Sequence, residues 1–341
     1  MTAVPASFPA FLATKGTDTD GTPTVVRGLG ELSAADLPPG EVTVRVQWSS
    51  VNYKDALATL ADGSVARISP MVAGIDVGGI VVAVEGSATC QVGDEVIAHG
   101  YDIGVARHGA YAHFCRLRAD QVLERPVGLT IKEAMTIGTA GFTAAQSVHA
   151  LERHGLKTDA GPVVVTGASG GVGSTAVAML AQRGFEVVAS TGKADEHDYL
   201  KALGAASVID RSELASDSGR PMEKERWAGA VDCVGGTTLA TVIRQLRYGG
   251  AVAASGMTGG GTLAATVFPF ILRGVALLGI DSVNVDMVTR AEIWRRCGTD
   301  LKPHGLSEMI AVETDLDGLE EALTNIRAGR VRGRMLVRIA D

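Results

Sequence analysis

A run of glycines after a short apolar stretch is the feature of this sequence with the clearest chemistry. Val163–Val165 is followed by the turn Gly167-Ala-Ser-Gly-Gly-Val-Gly173, which opens a stretch with helical periodicity. Glycines in such a turn let the backbone approach a pyrophosphate, and the helix start offers free N–H groups and a positive dipole. Ala168 replaces the first glycine of a strict GxGxxG motif, so Gly170 and Gly173 define the pattern. The turn therefore predicts a dinucleotide site.

The end of the next predicted strand indicates which dinucleotide is bound. NAD enzymes usually place Asp or Glu there, about twenty residues past the glycines, to bind the ribose 2′-hydroxyl. This strand ends instead in Ser190-Thr191-Gly192-Lys193, and Arg211 ends the following strand. Two hydroxyls and two cations would accept a 2′-phosphate that a carboxylate would repel, so the pattern favours NADP over NAD. Either cation taken alone is also compatible with a solvated loop residue.

The elements that would position these residues follow two different patterns. Up to about residue 125, alternating runs such as Glu41–Val46 and apolar runs such as Ile80–Val84 predict a compact β-barrel. From residue 162, short apolar strands alternate with Gly-rich turns and helices, which is typical of a doubly wound parallel sheet. The predicted strands are 163–165, 186–189, 207–209, 230–234 and 251–254, with a sixth at 275–280.

The end of the chain follows neither pattern. We predict a helix near residues 287–298 and a strand at Met335–Ile339 that rejoins the first domain. The sequence thus predicts an α/β protein with a discontinuous first domain, residues 1–130 and 286–341. The dinucleotide-binding domain, residues 131–285, would be inserted into it.

Composition excludes several classes of protein. The chain has 341 residues, of which 46% are hydrophobic and 20% charged, so it is not a disordered protein. Its net charge of −7 argues against a nucleic-acid partner. No apolar run reaches membrane-spanning length, and the N-terminus lacks the features of a secretory signal. We therefore expect a cytoplasmic protein without a membrane partner.

Six motifs that occur in order along the chain together resemble a known family. They are Trp48–Leu57, Gly74–Asp76, Ile137–Thr143, Thr166–Ala176, Pro269–Arg273 and Gly279–Ser282. Their combination is similar to the acrylyl-CoA reductase branch of the quinone oxidoreductases, within the medium-chain dehydrogenase/reductases. The resemblance, which covers nearly the full chain, implies a GroES-like β-barrel catalytic domain and a Rossmann domain. It also implies NADPH-dependent reduction of acryloyl-CoA to propanoyl-CoA, and a homodimer formed through the edge strand near residues 275–280.

The zinc ligands of the alcohol dehydrogenases in this superfamily have no counterpart here. Their ligand cysteine and Gly-His-Glu motif look equivalent to Asn52 and to Gly74-Ile75-Asp76. A catalytic zinc needs three good protein ligands, so we expect an enzyme without a metal. His99, His108 and His113 match no ligand spacing, and we interpret them as surface or core residues.

The resemblance also assigns a site residue by residue. Tyr53 is similar to the family's tyrosine that faces cofactor and substrate. The implied cofactor contacts come from the pyrophosphate turn, the 2′-phosphate loop and the nicotinamide region. They are Ser169, Gly170, Gly171, Val172, Ser190, Thr191, Gly192, Arg211, Met257, Ile271 and Ser282. Lys193, which we also assign to the cofactor, stands where the family often has Arg. From the basic run near the C-terminus we select Arg334 as a ligand for a phosphate of CoA or NADPH, although such runs are more often solvated edges.

A mechanism without a metal is hydride transfer from NADPH to the β-carbon of an unsaturated thioester, with negative charge developing on the thioester oxygen. We hypothesise that Asn52 and Tyr53 position the substrate, and that Tyr53 or a water bound to it protonates the α-carbon. The alternative for Tyr53 is a buried core tyrosine. Lys54 is the nearest cation, but neighbouring residues of a strand point to opposite faces. Asp76 either orients Lys54 or a backbone turn, or is an active-site carboxylate.

Three functions fit these observations. The first is reduction of an unsaturated acyl-CoA, most simply acryloyl-CoA. The second is reduction of quinones or enones by NADPH. The third is a catalytically idle protein that binds a dinucleotide.

Overall fold

The computed structural model describes residues 4–216 and 218–340, which form two compact units. The first unit contains residues 4–139, 283–295 and 310–340, and the second contains residues 140–282 and 296–309. The first unit is therefore discontinuous in sequence, but the breaks lie at 139 and 282 rather than at 130 and 285. Residues 296–309 lie in the second unit rather than in the predicted first domain. Residues 1–3, 217 and 341 of the predicted domains lie outside the described residues.

The N-terminal part of the first unit is mainly β-structure. Its elements are β1 (Phe8–Thr17), β2 (Pro23–Leu32), β3 (Val42–Ser50), α1 (Tyr53–Ala58), β4 (Met71–Val72), β5 (Asp76–Val84), β6 (Glu95–His99), β7 (Phe114–Leu117) and β8 (Leu123–Glu124). β3 pairs antiparallel with β5 and β7, and β1 pairs antiparallel with β2 and β4. Val42, Val44 and Val46 alternate along β3 and are fully buried in the core of this unit, as a period of two predicts.

One long helix, α2 (Ile131–His154), follows β8 and contains a glycine with non-helical geometry. Gly138 has φ 50° and ψ −162°, a conformation that costs little only for glycine. α2 is thus two helical segments joined at Gly138. Within residues 4–216 and 218–340, no helix combines the length and apolar character needed to cross a membrane.

The second unit is built on a six-stranded sheet with intervening helices. Its elements are β9 (Val163–Thr166), α3 (Gly171–Gln182), β10 (Val187–Thr191), α4 (His197–Ala202), β11 (Ser207–Asp210), β12 (Trp227–Asp232), α5 (Gly236–Gln245), β13 (Leu246–Ala254), α6 (Phe268–Arg273) and β14 (Ala276–Gly279). Every pairing is parallel, and the strand order is β11-β10-β9-β12-β13-β14. This is the order of a Rossmann sheet, so the predicted doubly wound fold is confirmed.

Four further elements follow β14. They are α7 (Met287–Cys297), β15 (Ile310–Thr314), α8 (Leu319–Arg327) and β16 (Arg334–Arg338). β16 pairs antiparallel with β3, with Leu336 opposite Ser50 and Val337 opposite Ser49. This pairing confirms that the terminal strand rejoins the N-terminal β-structure. It also brings the start of β16 to the end of β3, where the candidate site begins.

Candidate active site

A buried polar network lies in the first unit, between the end of β3 and the start of α1. Its centre is Asp76, the first residue of β5, which is fully buried. Asp76 Oδ2 accepts hydrogen bonds from the Ser50 hydroxyl and from Asn52 Nδ2, the latter at 2.7 Å. Asp76 Oδ1 accepts the backbone N–H of Thr139 at 2.9 Å and its hydroxyl at 2.6 Å. These bonds favour the structural interpretation of Asp76, with Asn52, Ser50 and Thr139 as the groups it orients.

Arg334 completes this network from β16. Its Nη2 donates to Ser50 Oγ at 2.6 Å and lies 3.7 Å from Asp76 Oδ2, while Nη1 donates to Asn52 Oδ1 at 3.2 Å. Nε donates to the carbonyl oxygen of Thr136 at 2.8 Å. Burial lowers the pKa of the Arg334 guanidinium, and the Asp76 carboxylate opposes that shift. The structure does not favour the prediction that Arg334 binds a cofactor phosphate, because the residue is 2% exposed and all three of its nitrogens contact protein groups.

The break in α2 at Gly138 lies directly against the network. A Cβ atom at this position would lie 2.5 Å from Asp76 Oδ2, 2.7 Å from Arg334 Nη2 and 2.9 Å from Ser50 Oγ. A side chain here would therefore displace the buried ion pair. Glycine is required both by the backbone conformation and by this close approach.

Asp55 is a second buried carboxylate, which was not predicted as a site residue from the sequence. Its Oδ1 accepts the backbone N–H groups of Gly74 at 3.0 Å and Ile75 at 2.9 Å, and its Oδ2 accepts that of Asn52 at 2.8 Å. Burial, followed by the charge of Asp76, raises the pKa of Asp55 to about 6. The spacing Asn-x-x-Asp is related to a capping box and could have indicated a helix start at Asn52.

Tyr53 is the first residue of α1 and is 47% exposed. The alternative of a buried core tyrosine is therefore wrong. Residues 53 and 54 belong to a helix rather than a strand, so the prediction that their side chains point to opposite faces does not apply. Asn52, in contrast, is only 7% exposed, and its amide is held between Asp76 and Arg334. The structure thus fixes Asn52 inside the network and presents Tyr53 at the surface beside it.

The donor set around Asp76 does not fit a zinc ion. Both carboxylate oxygens already accept hydrogen bonds, and Asn52 offers an amide where a thiolate would be needed. The Arg334 guanidinium, 3.7 Å from the carboxylate, would repel a divalent cation. Across residues 4–216 and 218–340, no group of three or more His, Cys, Asp or Glu side chains could hold a metal ion.

The histidines singled out from the sequence have structural contacts. His99 is 2% exposed, and its Nε2 accepts the indole N–H of Trp294 at 2.9 Å. Burial, followed by the charge of Arg290, lowers the pKa of His99 well below its usual value. His108 Nδ1 accepts the backbone N–H of Val72 at 3.2 Å. These contacts agree with the interpretation of these two residues as core or surface histidines.

The Gly-rich turn lies in the second unit and connects β9 to α3. Gly170 is the residue that precedes α3, and Gly171 and Val172 form its first turn. A Cβ atom at Gly173 would lie 2.7 Å from the Ala168 Cα atom, so glycine allows α3 to pack against the turn. The N–H groups at the start of this 12-residue helix suit the pyrophosphate of a dinucleotide.

The end of β10 lies beside this turn. Ser169 Oγ and Thr191 Oγ1 are 3.1 Å apart, and the Lys193 backbone N–H donates to Thr191 Oγ1 at 3.2 Å. Arg211 begins a short 3₁₀ helix after β11 and lies against Gly192. A Cβ atom at Gly192 would come within 2.6 Å of the Arg211 Cδ and Nε atoms. The structure thus brings the predicted 2′-phosphate loop, Ser190 to Lys193, together with Arg211 at the carboxyl edge of the sheet.

The three residues assigned to the nicotinamide region lie on separate segments of the second unit. Met257 follows β13 and is 74% exposed, Ile271 lies on α6 and is 72% exposed, and Ser282 is half-buried after β14. Asp232, at the end of β12, was not predicted as a functional residue from the sequence. This buried carboxylate accepts the Thr166 hydroxyl and the Gly235 N–H, both at 2.7 Å. Asp232 therefore ties together the ends of β9 and β12.

Residues 38–127 match the family described as "Alcohol dehydrogenase GroES-like domain", and residues 171–295 match "Zinc-binding dehydrogenase". The chain is 46% identical over 334 residues to the acrylyl-CoA reductase AcuI of Ruegeria pomeroyi, which covers 97% of this chain and 98% of that protein. It is 47% identical over 308 residues to the Bacillus subtilis protein named "Putative quinone oxidoreductase YhfP", covering 90% of this chain and 93% of that protein.

Solved structures agree with these matches. The structure of Bacillus subtilis yhfP with NAD bound has a TM-score of 0.94 and 46% sequence identity, and covers 98% of this chain and 100% of that one. The yhdH oxidoreductase from Salmonella enterica in complex with NADP has a TM-score of 0.92 and 44% identity, over 97% and 100% of the two chains. The predicted fold class, a GroES-like domain with a Rossmann domain, is confirmed.

Proposed function

Since the chain belongs to the acrylyl-CoA reductase branch of the quinone oxidoreductase family, within the medium-chain dehydrogenase/reductases, we propose that it reduces acryloyl-CoA to propanoyl-CoA with NADPH. The class of enzyme, an oxidoreductase, follows from the family. The substrate is supported by the 46% identity to an acrylyl-CoA reductase over nearly the whole of both chains. The choice of NADPH is supported by residues in the second unit, and the mechanism is supported by residues in the first unit.

The choice of NADPH rests on one observation, the packing of Arg211 against Gly192 beside Ser190 and Thr191. This arrangement offers a guanidinium and two hydroxyls where an NAD enzyme would have a carboxylate for the ribose. A planar guanidinium can donate two parallel hydrogen bonds to a phosphate. Lys193 adds a second positive charge at the same loop. Since solved relatives are described with either NAD or NADP, these residues rather than the relatives support NADPH.

In the proposed reaction, bound NADPH supplies a hydride to the β-carbon of the thioester. The double-bond electrons move toward the carbonyl, and a proton added at the α-carbon completes the saturated product. We assign the proton to the Tyr53 hydroxyl, or to a water that it holds, because Tyr53 is the exposed polar residue at the start of α1. Tyrosine is a weak acid at neutral pH. We therefore expect a second hydrogen-bond donor to stabilise the negative charge on the oxygen of the developing enolate.

Asn52 has a positioning role in this proposal. Its side chain is held by Asp76 and Arg334, and its backbone N–H by Asp55. These bonds fix Asn52, the residue immediately before α1, and therefore fix the start of the helix that carries the Tyr53 side chain. A rigid support of this kind is what a catalytic hydroxyl needs to stay aligned with a substrate.

The reaction as proposed needs no zinc. Arg334 lies beside Asn52 and Asp76, which look equivalent to residues of the zinc site in the alcohol dehydrogenases, and its guanidinium would disfavour a cation there. The carbonyl of the thioester would then be polarised by hydrogen-bond donors alone. Metal analysis of the purified enzyme, together with activity after dialysis against a chelator, tests this part of the proposal. Loss of activity that zinc alone restores would contradict it.

A homodimer is also part of the proposal. β14 is the terminal strand of the six-stranded sheet, and its Leu277 is 39% exposed. An exposed strand edge can pair with the same strand of a second copy. Light scattering after size-exclusion chromatography tests this, and a monomer mass at micromolar concentration would contradict it.

The function itself is tested by following NADPH absorbance with acryloyl-CoA, free acrylate, crotonyl-CoA and a quinone in parallel. We expect the highest kcat/KM with acryloyl-CoA. Fast oxidation with the quinone and none with acryloyl-CoA would favour quinone reduction, which the name of the Bacillus subtilis relative supports as a second candidate. No oxidation with any of the four would favour a binding protein without this activity.

A further inference from the structure

A cavity of about 470 Å³ lies within the first unit, next to the start of α1. None of the residues that line it has a role in the proposed reduction. Charged and polar groups dominate its wall, and the residues that matter for its chemistry are Lys54, Ser64, Arg67, Tyr101, Asp102 and Arg118. Its volume falls in the range of pockets that bind small molecules, about 300–1,000 Å³.

The charges of this cavity favour an anion. Lys54, Arg67 and Arg118 contribute three positive charges against the single carboxylate of Asp102. Asp102 already has partners, because its Oδ1 accepts Gln121 Nε2 at 2.7 Å and its Oδ2 lies 3.6 Å from the Arg118 guanidinium. Arg67 is exposed, and within residues 4–216 and 218–340 its guanidinium forms no ion pair. Arg118 also pairs with the exposed Asp120, whose Oδ1 lies 3.3 Å from Arg118 Nε, so the positive charge that an anion would meet in the wall comes mainly from Arg67.

Tyr101 gives this cavity an aromatic wall in a strained conformation. It is the one residue other than glycine with positive φ, 51°, among the described residues. The surrounding structure holds it there, because its N–H donates to the Val283 carbonyl at 3.0 Å and the Arg290 guanidinium lies 4.6 Å from the ring centre. Such strain costs about 1–3 kcal/mol and is found disproportionately at binding sites. An aromatic ring beside cations suits a planar base joined to phosphates.

We propose that this cavity binds the phosphorylated adenosine of the acyl-CoA substrate. The inference rests on the proposed function, since it assumes an acyl-CoA substrate. It concerns the nucleotide part of that substrate, which carries no reacting atom. Coenzyme A has a 3′-phosphate and a diphosphate, which match a wall with three cations, whereas free acrylate and quinones have neither. Lys54 follows Tyr53 in the chain, and the flexible pantetheine arm connects a thioester near Tyr53 to phosphates bound in the cavity. Binding energy from this remote group would then serve to hold the thioester for hydride transfer.

The test compares Arg67→Gln with the wild-type enzyme on two substrates, acryloyl-CoA and the acryloyl thioester of N-acetylcysteamine, which lacks the nucleotide. We expect KM for acryloyl-CoA to rise about tenfold, because a hydrogen bond between two charged groups is lost. The truncated thioester should show no such change. Arg327→Gln removes an exposed arginine from the same unit outside the cavity and is the matched control. Arg118→Gln provides a second variant, and the thermal midpoints of all variants show whether they fold.

Direct binding gives an independent measurement. In calorimetry with saturating NADP⁺, adenosine 3′,5′-bisphosphate should bind the wild-type enzyme and bind Arg67→Gln at least about tenfold more weakly. Equal KM values for acryloyl-CoA in wild type and Arg67→Gln, or an equal rise with both thioesters, would overturn the assignment of the cavity and leave the proposed reduction intact. If neither thioester is reduced, it is the proposed function that fails. The calorimetry then still decides whether this cavity binds the nucleotide.

Discussion

The Arg334 guanidinium lies 3.7 Å from the Asp76 carboxylate, and the two side chains are 3% and 0% exposed. This pair connects the start of β16 to the start of β5, and its hydrogen bonds to Ser50 and Asn52 reach the residue that precedes Tyr53. A buried ion pair contributes little net stability when it is replaced as a whole, but the loss of one partner is costly. The pair is therefore more important for placing Asn52 than for the total stability of the unit.

Removing one partner of this pair should destabilise the protein strongly. We expect Arg334→Met to lower the free energy of unfolding by about 3–5 kcal/mol, because Asp76 then remains buried without a counter-charge. Arg334→Met combined with Asp76→Asn should recover part of that loss. Urea unfolding measures both effects, with Arg327→Met as a control at an exposed arginine of the same unit. Equal stability of Arg334→Met and wild type would show that the pair is not buried as described.

The titration of Asp55 should make stability depend on pH. Its pKa in the folded protein, about 6, is above the value of about 3.9 for an unfolded Asp, so folding favours the protonated form. The stabilising contribution of protonated Asp55 to the free energy of unfolding is present in full below about pH 4. It is lost as the pH rises through about 6, a change of about 3 kcal/mol. The difference in unfolding free energy between wild type and Asp55→Asn should therefore fall across this interval. Asp62→Asn, at an exposed position of the same unit, is the matched control. A difference between wild type and Asp55→Asn that stays constant across this interval would contradict the assignment.

The Rossmann sheet could be predicted closely from the sequence, because its buried strands are short apolar runs between glycines. The predicted strand 163–165 is observed as Val163–Thr166, and 207–209 as Ser207–Asp210. The buried network could not be predicted in the same way. Ser50, Asp76 and Arg334 are far apart in sequence, and only the pairing of β3 with β5 and β16 brings them together.

The burial of Arg334 could not be predicted for the same physical reason. In the sequence Arg334 belongs to a basic run near the C-terminus, which is typical of an exposed edge. The structure places this residue at the start of β16, which is paired on both sides, where a guanidinium can be accommodated only with a carboxylate and polar groups around it. Asp55 was missed because two of its three partners are backbone N–H groups of a distant loop.

Arg211 should determine the preference for NADPH. Removing a guanidinium that contacts a phosphate costs a charge-assisted hydrogen bond, so Arg211→Ala should raise KM for NADPH by about tenfold to a hundredfold. KM for NADH, which has no 2′-phosphate, should not change. Steady-state kinetics with both cofactors measures this, and Arg153→Ala serves as a control at an exposed arginine of the second unit. A parallel rise of both KM values would argue against a 2′-phosphate contact.

Tyr53 should affect turnover rather than cofactor binding. Loss of a positioned proton donor typically costs about a hundredfold or more in rate, so Tyr53→Phe should lower kcat by about that factor. The Kd for NADPH, measured by fluorescence, should remain the same. Tyr248, which is 78% exposed on β13, provides the matched control Tyr248→Phe. Unchanged turnover in Tyr53→Phe would remove the hydroxyl from the mechanism.

The fate of the hydride tests the proposed reaction most directly. The enzyme is given acryloyl-CoA and NADPH with deuterium at the transferred position of C4, and the product is analysed by NMR and mass spectrometry. Propanoyl-CoA with one deuterium at C3 is expected, and unlabelled NADPH in D₂O should give one deuterium at C2. Consumption of NADPH without labelled propanoyl-CoA, or a label from NADPH at C2, would contradict reduction of the double bond by hydride transfer to the β-carbon.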